Sequence, residues 1–240
     1  MLIRLALSAA LLAASVTAAL AAPSRVIILR HGEKADDWKL CEIGKQRAQA
    51  LKYNYLGKDA AKSLFTSLFS EDTSPAFFFA ITLHTMELAT PAVESWGKPI
   101  IFYSVLPEEN EKKLTEALNA RTREAAGNIL NNPALKGKTV VMVWEHRHIA
   151  NKVLGEKYQR EAAVTLRQLF HLDILPGVPR EWPEDNYDYF WIVDFPENSN
   201  VPSKFKMVKQ EFGKSFPNVP ANDWGAPDGL DAKSGCMTKN

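Results

Sequence analysis

The sequence predicts an α/β fold of three layers, in which helices cover both faces of a mostly parallel central sheet. Short apolar runs recur along the chain, and segments with helical periodicity separate them. Runs rich in branched and aromatic residues are typical of parallel strands that are buried on both faces. The five runs are Val26–Leu29, Phe77–Ile81, Ile100–Tyr103, Val140–Trp144 and Tyr189–Val193.

The segments between these runs carry helical patterns. Apolar positions follow a 3.6-residue period from Leu40 to Leu51, and again from Leu114 to Leu130, where the pattern stops before Pro133. Lys152 to Gly155 indicates the end of another helix, with Gly155 as its cap. Ala162–Leu169 is a further amphipathic stretch. The alternation of strands and helices therefore predicts the α/β class.

The N-terminus has the pattern of an export signal. Arg4 is followed by a mostly apolar run from Leu5 to Leu20, and small residues precede Ala22. The run is short for a transmembrane helix, which needs about 20 apolar residues; an uncleaved membrane anchor is the alternative. We expect residues 1–21 to be a removed signal peptide. The mature protein would then be secreted or periplasmic, without a stable membrane anchor.

The mature chain divides at Phe195. Residues 22–195 carry the strand and helix patterns and are predicted to form the α/β domain. Prolines interrupt the polar residues 196–240, which are predicted to lie over the domain as an extended C-terminal arm. A tail that binds a partner is the alternative.

Charge and cysteine content narrow the possible functions. Without Arg4 the chain has 28 basic and 28 acidic side chains and no basic stripe, which argues against a nucleic-acid partner. Cys41 and Cys236 could form a disulfide in an oxidising compartment, but their sequence separation says nothing about their distance in space. Their pairing is left open, and neither thiol is assigned to catalysis.

Ionisable side chains cluster where the predicted strands end. Ligands of open parallel sheets bind at the carboxyl ends of the strands. Four of the five histidines follow strands, whereas His171 lies in a helix-like segment and is predicted to be structural or exposed. The residues after the first four runs are Arg30 to Lys34, Thr82 with His84, Pro107 to Glu109, and Glu145 to His148.

These residue types suit chemistry at phosphorus. The planar guanidinium of Arg30 fits phosphate oxygens. His31 could act as a nucleophile or a proton carrier. Gly32 would let the backbone turn tightly, so that amide groups approach an anion.

Three segments resemble the histidine phosphatase (phosphoglycerate mutase-like) superfamily. "LRHGEK" at Leu29–Lys34 is similar to its Arg-His-Gly signature, and "VVMVWEH" at Val140–His146 is similar to its later strand that ends in histidine. "LCEIGKQRAQAL" at Leu40–Leu51 resembles the helix that follows the signature. The resemblance extends from about Arg25 to Phe195 and implies a phosphoglycerate mutase-like fold.

The resemblance implies a metal-independent phosphomonoesterase of the histidine acid phosphatase type, with no cofactor. His31 would take the phosphoryl group and form a phosphohistidine that water hydrolyses. Arg30, Gly32 and His146 would bind the phosphate oxygens. His31 would have to be neutral, with an acceptor for its far ring nitrogen to fix the tautomer. The partner would be a small-molecule phosphate ester or inorganic phosphate.

The proton donor to the leaving oxygen is assigned by position. Glu108 is the first candidate, with Glu109 and Glu145 behind it. Glu33 and Lys34 either shape the mouth of the pocket or are solvated loop charges.

One position departs from the superfamily. A second arginine is expected after the second strand, where this chain reads "ITLHTMELATPAVESW" from Ile81 to Trp96. One way of matching the segment places His84 at this position, and the other places Met86 there. His84 could still bind phosphate through one hydrogen bond, whereas Met86 could donate none. Loss of a charge-assisted contact costs about 1.5–3 kcal/mol.

Two other functions therefore stay open. A catalytically impaired relative would bind phosphorylated ligands or partners without turnover. A metal-dependent hydrolase could use His146 and His148, joined by His31 or Glu33, as ligands. We favour a supporting role for His148 beside His146, and no metal.

Overall fold

The computed structural model describes residues 21–69 and 73–237. Residues 1–20 of the predicted signal peptide lie outside the described residues, so its removal stays a prediction. No helix in the two described ranges is both long and apolar enough to cross a membrane.

Six strands in the described ranges form one mixed sheet. All five predicted strands are present, each within one residue of its predicted ends. The strands are β1 (Arg25–Arg30), β2 (Phe77–Ala80), β3 (Ile100–Phe102), β4 (Thr139–Trp144), β5 (Tyr189–Asp194) and β6 (Lys204–Lys209). Their order is β3-β2-β4-β1-β5-β6. The first four in this order are parallel, and β5 and β6 are antiparallel to their neighbours. The predicted mostly parallel sheet is confirmed.

Helices cover both faces of this sheet. Buried Val26 and Ile28 of β1 pack into one hydrophobic core, whereas Ile27 and Leu29 pack into the other. Side chains of β1 point alternately to the two faces, so both faces are covered. The α-helices are α1 (Glu42–Leu51), α2 (Lys62–Leu68), α3 (Leu83–Trp96), α4 (Glu111–Asn131), α5 (His146–Ile149), α6 (Lys152–Lys157) and α7 (Leu166–Leu169). Helix α4 contributes to the first core, and α1 and α3 contribute to the second. The predicted three-layer α/β fold is confirmed.

Two helix boundaries differ from the sequence prediction. Gly155 lies inside α6 and is not its cap, because Asn151 starts the helix by accepting a hydrogen bond from Leu154 N at 2.9 Å. The segment from 152 to 155 is therefore the beginning of a helix and not its end. The amphipathic stretch 162–169 forms an α-helix only over Leu166–Leu169.

The C-terminal segment 196–240 contributes a strand to the sheet. Strand β6 pairs along its whole length with β5. Lysines at positions 204, 206 and 209 interrupt its apolar residues, and charged side chains are common on edge strands, where they discourage further pairing. This polar pattern hid β6 from the sequence analysis. Beyond β6, residues 210–237 contain only short helical turns and pack over the domain.

Candidate active site

The strand order brings the candidate residues together. Arg30 and Trp144 are register partners in the parallel pair of β1 and β4, so His31 and Glu145 leave the sheet side by side. The backbone N–H of His31 also donates to Trp144 O at 3.0 Å. Strand β2 lies on the other side of β4, and the chain after it enters α3 near His84.

The ring of His31 is fully buried and held in one tautomer. Its Nδ1 lies 2.8 Å from the carbonyl oxygen of Gly32. A carbonyl oxygen can only accept, so Nδ1 carries the proton and Nε2 keeps its lone pair. The structure thus contains the acceptor that a nucleophilic His31 was expected to need.

Three polar groups surround the Nε2 atom of His31. Arg30 Nη2 lies 3.1 Å away, His146 Nδ1 lies 3.2 Å away, and a carboxylate oxygen of Glu145 lies 3.6 Å away. Because Nε2 accepts, the Nδ1 of His146 is the donor in their contact. The Nε2 of His146 is then an acceptor, and it has no hydrogen-bond partner within the described residues.

Both histidines are neutral near neutral pH. Burial lowers the pKa of His31 well below its ordinary value, and the charge of Arg30 lowers it further. The same two causes hold the pKa of His146 well below its ordinary value. A neutral imidazole is the form that can attack phosphorus.

Arg30 is held by the loop that precedes β5. Its guanidinium lies 4.0 Å above the ring of Tyr187. Its Nη1 donates to the carbonyl oxygens of Pro183, at 3.0 Å, and Glu184. These contacts aim Nη2 at His31. The sequence analysis missed this loop; the only local signal was the polar, proline-containing stretch just before the last predicted strand.

Glu145 lies inside the site, although it was only a secondary candidate from the sequence. One of its oxygens accepts from Thr82 Oγ1 at 2.8 Å and pairs with His84 Nε2 at 2.6 Å. Burial alone would raise the pKa of the Glu145 carboxyl, but the neighbouring His84 outweighs burial and holds this pKa well below its usual range. Glu145 is therefore held in the carboxylate form.

His84 lies next to His31 in the site. Its ring lies 5.1 Å from that of His31 between centroids, and its Nδ1 is buried without a hydrogen-bond partner in the described chain. Within the described residues, the side chain of Met86 makes no contact with His31 or Glu145. Of the two ways of matching the segment, the one through His84 is compatible with this geometry.

Glu33 is neither a solvated loop charge nor part of the pocket mouth. It is fully buried and pairs with Arg47 at 2.7 Å, and Arg47 also contacts Asp188 at 2.8 Å. Arg47 donates further to Gln210 Oε1 at 2.9 Å and to the Pro220 carbonyl at 3.2 Å. Burial acts to lower the pKa of Arg47, but the two carboxylates keep it above its ordinary value. This network attaches the loop after β1 to α1 and to the C-terminal segment.

Two glycines allow α1 to approach the loop. A Cβ on Gly44 would lie 2.2 Å from the carbonyl oxygen of Glu33, which is far closer than atoms can approach. A Cβ on Gly32 would lie 3.1 Å from Leu88 Cδ1. Gly32 is not among the residues with positive φ in the described chain, so its place in the loop does not depend on a left-handed backbone. Gly32 serves packing, and its carbonyl fixes the tautomer of His31.

The remaining candidates lie away from Nε2 of His31. His148 donates to Asn119 Oδ1 of α4 at 2.9 Å, so it supports the fold beside His146. Glu108 is exposed at a cleft that Glu145 and His84 also line, and Glu109 is exposed as well. His171 was predicted to be structural or exposed, and it is exposed. The other lining residues of the cleft are Lys34, Asp37, Thr82, Val105, Leu106, Pro107, Leu114 and Leu118.

The pairing that the sequence left open is present in the structure. Cys41 and Cys236 form a disulfide with a Cα–Cα distance of 5.2 Å. Beside it, the backbone N–H of Met237 donates to Lys34 O at 2.7 Å, and that of Cys41 donates to Glu33 O at 2.9 Å. The C-terminal segment is therefore bound to the loop that carries His31.

Comparison with known proteins finds structural similarity to several solved proteins. No family model matches the sequence, and no curated protein matches it. A mycobacterial glucosyl-3-phosphoglycerate phosphatase is 14% identical over 78% of this chain and 98% of that chain, with a TM-score of 0.42. A protein of Agrobacterium tumefaciens described as a phosphohistidine phosphatase is 15% identical over 78% of this chain and 96% of that chain, with a TM-score of 0.36. Mycobacterial hydrolase 2 is 13% identical over 84% of this chain and 93% of that chain, with a TM-score of 0.41.

The chain resembles the histidine phosphatases. This resemblance rests on its own motifs and on the convergence of Arg30, His31 and His146.

Proposed function

We propose that this protein is a metal-independent phosphomonoesterase of the histidine phosphatase superfamily, with His31 as the nucleophile. One observation carries the proposal: Nε2 of a neutral His31 lies 3.1 Å from Arg30 Nη2 and 3.2 Å from His146 Nδ1. The lone pair of Nε2 therefore points to where two donors could hold phosphate oxygens. We further propose that the protein is exported and acts after its signal peptide is removed.

The reaction has two steps. The lone pair of His31 Nε2 forms a bond to phosphorus while the ester P–O bond breaks, and the leaving oxygen takes a proton. Arg30 and His146 exchange their contacts with Nε2 for contacts with the phosphoryl oxygens. Water then attacks phosphorus and the P–N bond to His31 breaks, while the group that protonated the leaving oxygen takes a proton back from the water. Inorganic phosphate is released and neutral His31 is restored.

Glu108 is proposed as the proton donor to the leaving oxygen. It lies at the rim of the cleft that begins at Glu145 and His84. The pKa of Glu145 is held too low for this role. Apolar side chains line much of the cleft, so an ester with an apolar or aromatic leaving group fits it better than a sugar phosphate. The apolar lining residues are Val105, Leu106, Pro107, Leu114 and Leu118.

A second function is supported by the charge inside the site. The carboxylate of Glu145 lies 3.6 Å from Nε2 of His31, where it would repel a phosphoryl group. His84 supplies no bidentate guanidinium to offset that repulsion. A catalytically impaired protein that binds phosphorylated ligands or partners is therefore the alternative.

Hydrolysis of an aryl phosphate by the mature protein, with EDTA present, tests the proposal. We expect turnover in the wild type and a loss of at least about a thousandfold in His31→Ala, because the substitution removes the proposed nucleophile. His171→Asn is the control, since His171 is exposed and Asn tolerates its positive φ of 55°.

The outcomes separate the two functions. Equal turnover in wild type and His31→Ala would contradict the phosphohistidine mechanism. If neither protein turns over substrate between about pH 4 and 8, but the wild type binds vanadate, the alternative replaces the enzyme.

A further inference from the structure

The site contains a second arrangement that the phosphatase reaction does not use. Nε2 of His31, a ring nitrogen of His146 and a carboxylate oxygen of Glu145 all lie within 4.8 Å of one another. The histidine Nε2 atom lies 3.2 Å from the other ring and 3.6 Å from the carboxylate. The two histidines are fully or almost fully buried.

Two of these three distances are close to the edge of a small coordination polyhedron, and the third is no longer than 4.8 Å. Zinc bonds of about 2.0–2.1 Å in tetrahedral geometry place neighbouring ligand atoms about 3.3–3.4 Å apart. The distances of 3.2 and 3.6 Å lie close to that value. Two imidazoles and one carboxylate, with one position left open, are also a ligand set that zinc commonly takes.

The ligand atoms are prepared by their neighbours. Gly32 O holds the proton of His31 on Nδ1, which leaves Nε2 free to ligate. His146 would move its proton from Nδ1 to Nε2, which has no partner within the described residues, and its hydrogen bond to His31 would be replaced by the two metal bonds. Thr82 and His84 bind one oxygen of Glu145 and orient its other oxygen towards His31. Such outer contacts are typical of metal sites.

We propose that His31, Glu145 and His146 bind a divalent transition metal of the Zn²⁺ type, and that this metal excludes the phosphate ester. The exclusion rests on the proposed function, since one lone pair on Nε2 cannot both ligate a metal and attack phosphorus. The metal binding itself does not rest on it. His148 and Glu33, which the sequence offered as ligands, are occupied by Asn119 and Arg47.

Arg30 sets the strength of this site. Its guanidinium lies 3.1 Å from Nε2 of His31 and must move aside when a metal binds. The positive charge also opposes a cation. We therefore expect a dissociation constant of about 1 µM, which is weaker than the affinity of structural zinc sites.

Isothermal titration of the EDTA-treated and dialysed mature protein with ZnCl₂ tests the binding. We expect one Zn²⁺ per chain in the wild type and in His171→Asn, and at least about tenfold weaker binding in Glu145→Gln. Glu145→Gln removes a ligand charge but keeps the shape of the side chain. At the same Zn²⁺ concentration, bound Zn²⁺ should also raise the thermal unfolding midpoint of the wild type more than that of Glu145→Gln.

The same titration can overturn the proposal. Equal affinity in wild type and Glu145→Gln, or no binding at about 100 µM Zn²⁺, would remove the site. Aryl phosphate hydrolysis is then measured separately, with and without Zn²⁺. Activation by Zn²⁺ would overturn the exclusion and point to a metal-dependent hydrolase. If the protein binds Zn²⁺ but does not hydrolyse the aryl phosphate, the proposed metal site is supported and the proposed phosphatase activity is contradicted.

Discussion

At the scale of single residues, the reactivity of His31 follows from the contacts of its two ring nitrogens. Gly32 O holds the proton on Nδ1, and Arg30 and His146 lie beside Nε2. Burial and Arg30 together lower its pKa well below the ordinary value, so the ring stays neutral as the pH falls below 6.5. A phosphatase built on this histidine is therefore suited to acidic as well as neutral solutions.

Glu145→Gln should strengthen inhibition by inorganic phosphate about tenfold. The substitution removes a negative charge near the place proposed for the phosphoryl group, and two like charges a few ångströms apart repel by several kcal/mol at most in a protein. The inhibition constant of phosphate, measured in EDTA, checks this. Glu109→Gln, at an exposed side chain, should leave the constant unchanged. An unchanged constant in Glu145→Gln would mean that the carboxylate does not face the bound phosphate.

His148→Gln should reduce the sensitivity of the fold to acid. Burial lowers the pKa of His148 to about 4 in the folded protein, from about 6.5 when unfolded. The unfolded chain therefore binds the proton first, and stability present above pH 6.5 is lost as the pH falls towards 4. This group accounts for about 3 kcal/mol of that loss.

Glutamine at position 148 does not titrate and can still donate to Asn119. The unfolding free energy of His148→Gln, measured by urea unfolding, should fall between pH 7 and pH 4 by about 3 kcal/mol less than that of the wild type. His171→Asn should show the wild-type fall. If the unfolding free energy of His148→Gln falls as much as that of the wild type, other groups cause the acid sensitivity, for example His31 and His146.

At the scale of elements, the loop after β1 and helix α1 form one unit. Gly44 lets the helix touch the Glu33 carbonyl, and Arg47, one turn later, pairs with the Glu33 carboxylate. Buried ion pairs are sensitive to loss of one partner, which costs about 3–5 kcal/mol. The glycine and arginine of the "LCEIGKQRAQAL" segment therefore hold the backbone that presents His31.

Gly44→Ala should destabilise the protein by about 1–3 kcal/mol and reduce activity. Its Cβ would lie 2.2 Å from backbone, which must shift to make room. Gly127→Ala is the matched control, because that exposed position in α4 has nothing within 4 Å of an added Cβ. The control should gain up to about 1 kcal/mol from helix propensity. Urea unfolding of both variants checks the prediction, which equal unfolding midpoints would contradict.

At the scale of the whole molecule, the C-terminal segment completes the domain. Strand β6 extends the sheet beyond β5, and the chain then returns to contact Arg47 through Gln210 and Pro220. The disulfide joins Cys236 to Cys41 at the start of α1. Residues 196–237 therefore support the site loop as well as cover the domain.

Replacing both cysteines by serine should destabilise the protein by about 2–5 kcal/mol. The disulfide closes a loop of 195 residues, and long loops restrict the unfolded chain most. Urea unfolding of the wild type, with and without dithiothreitol, beside the double variant measures the effect. The reductant should leave the unfolding midpoint of the double variant unchanged. Equal stability of the double variant and the oxidised wild type would contradict the prediction.

Local pattern was sufficient for much of the architecture and for part of the site. The five predicted strands are contiguous apolar runs, so each is visible without knowledge of its neighbours. Arg30, His31 and His146 could be assigned to one site because parallel strands present their carboxyl ends at the same edge of a sheet. Each of these residues lies at or directly after the carboxyl end of its strand, and this is visible in the sequence itself.

Only the tertiary structure decided the contacts between distant segments. It brought Glu145 next to His31, buried Glu33 against Arg47, paired Cys41 with Cys236 and added β6 at the sheet edge. The direction of a side chain and the distance between two loops depend on how whole elements pack. No periodic sequence pattern predicts either of them. For that reason the motifs led to His31 as the proposed nucleophile, whereas the distance of the Glu145 carboxylate from its ring could be known only from the fold.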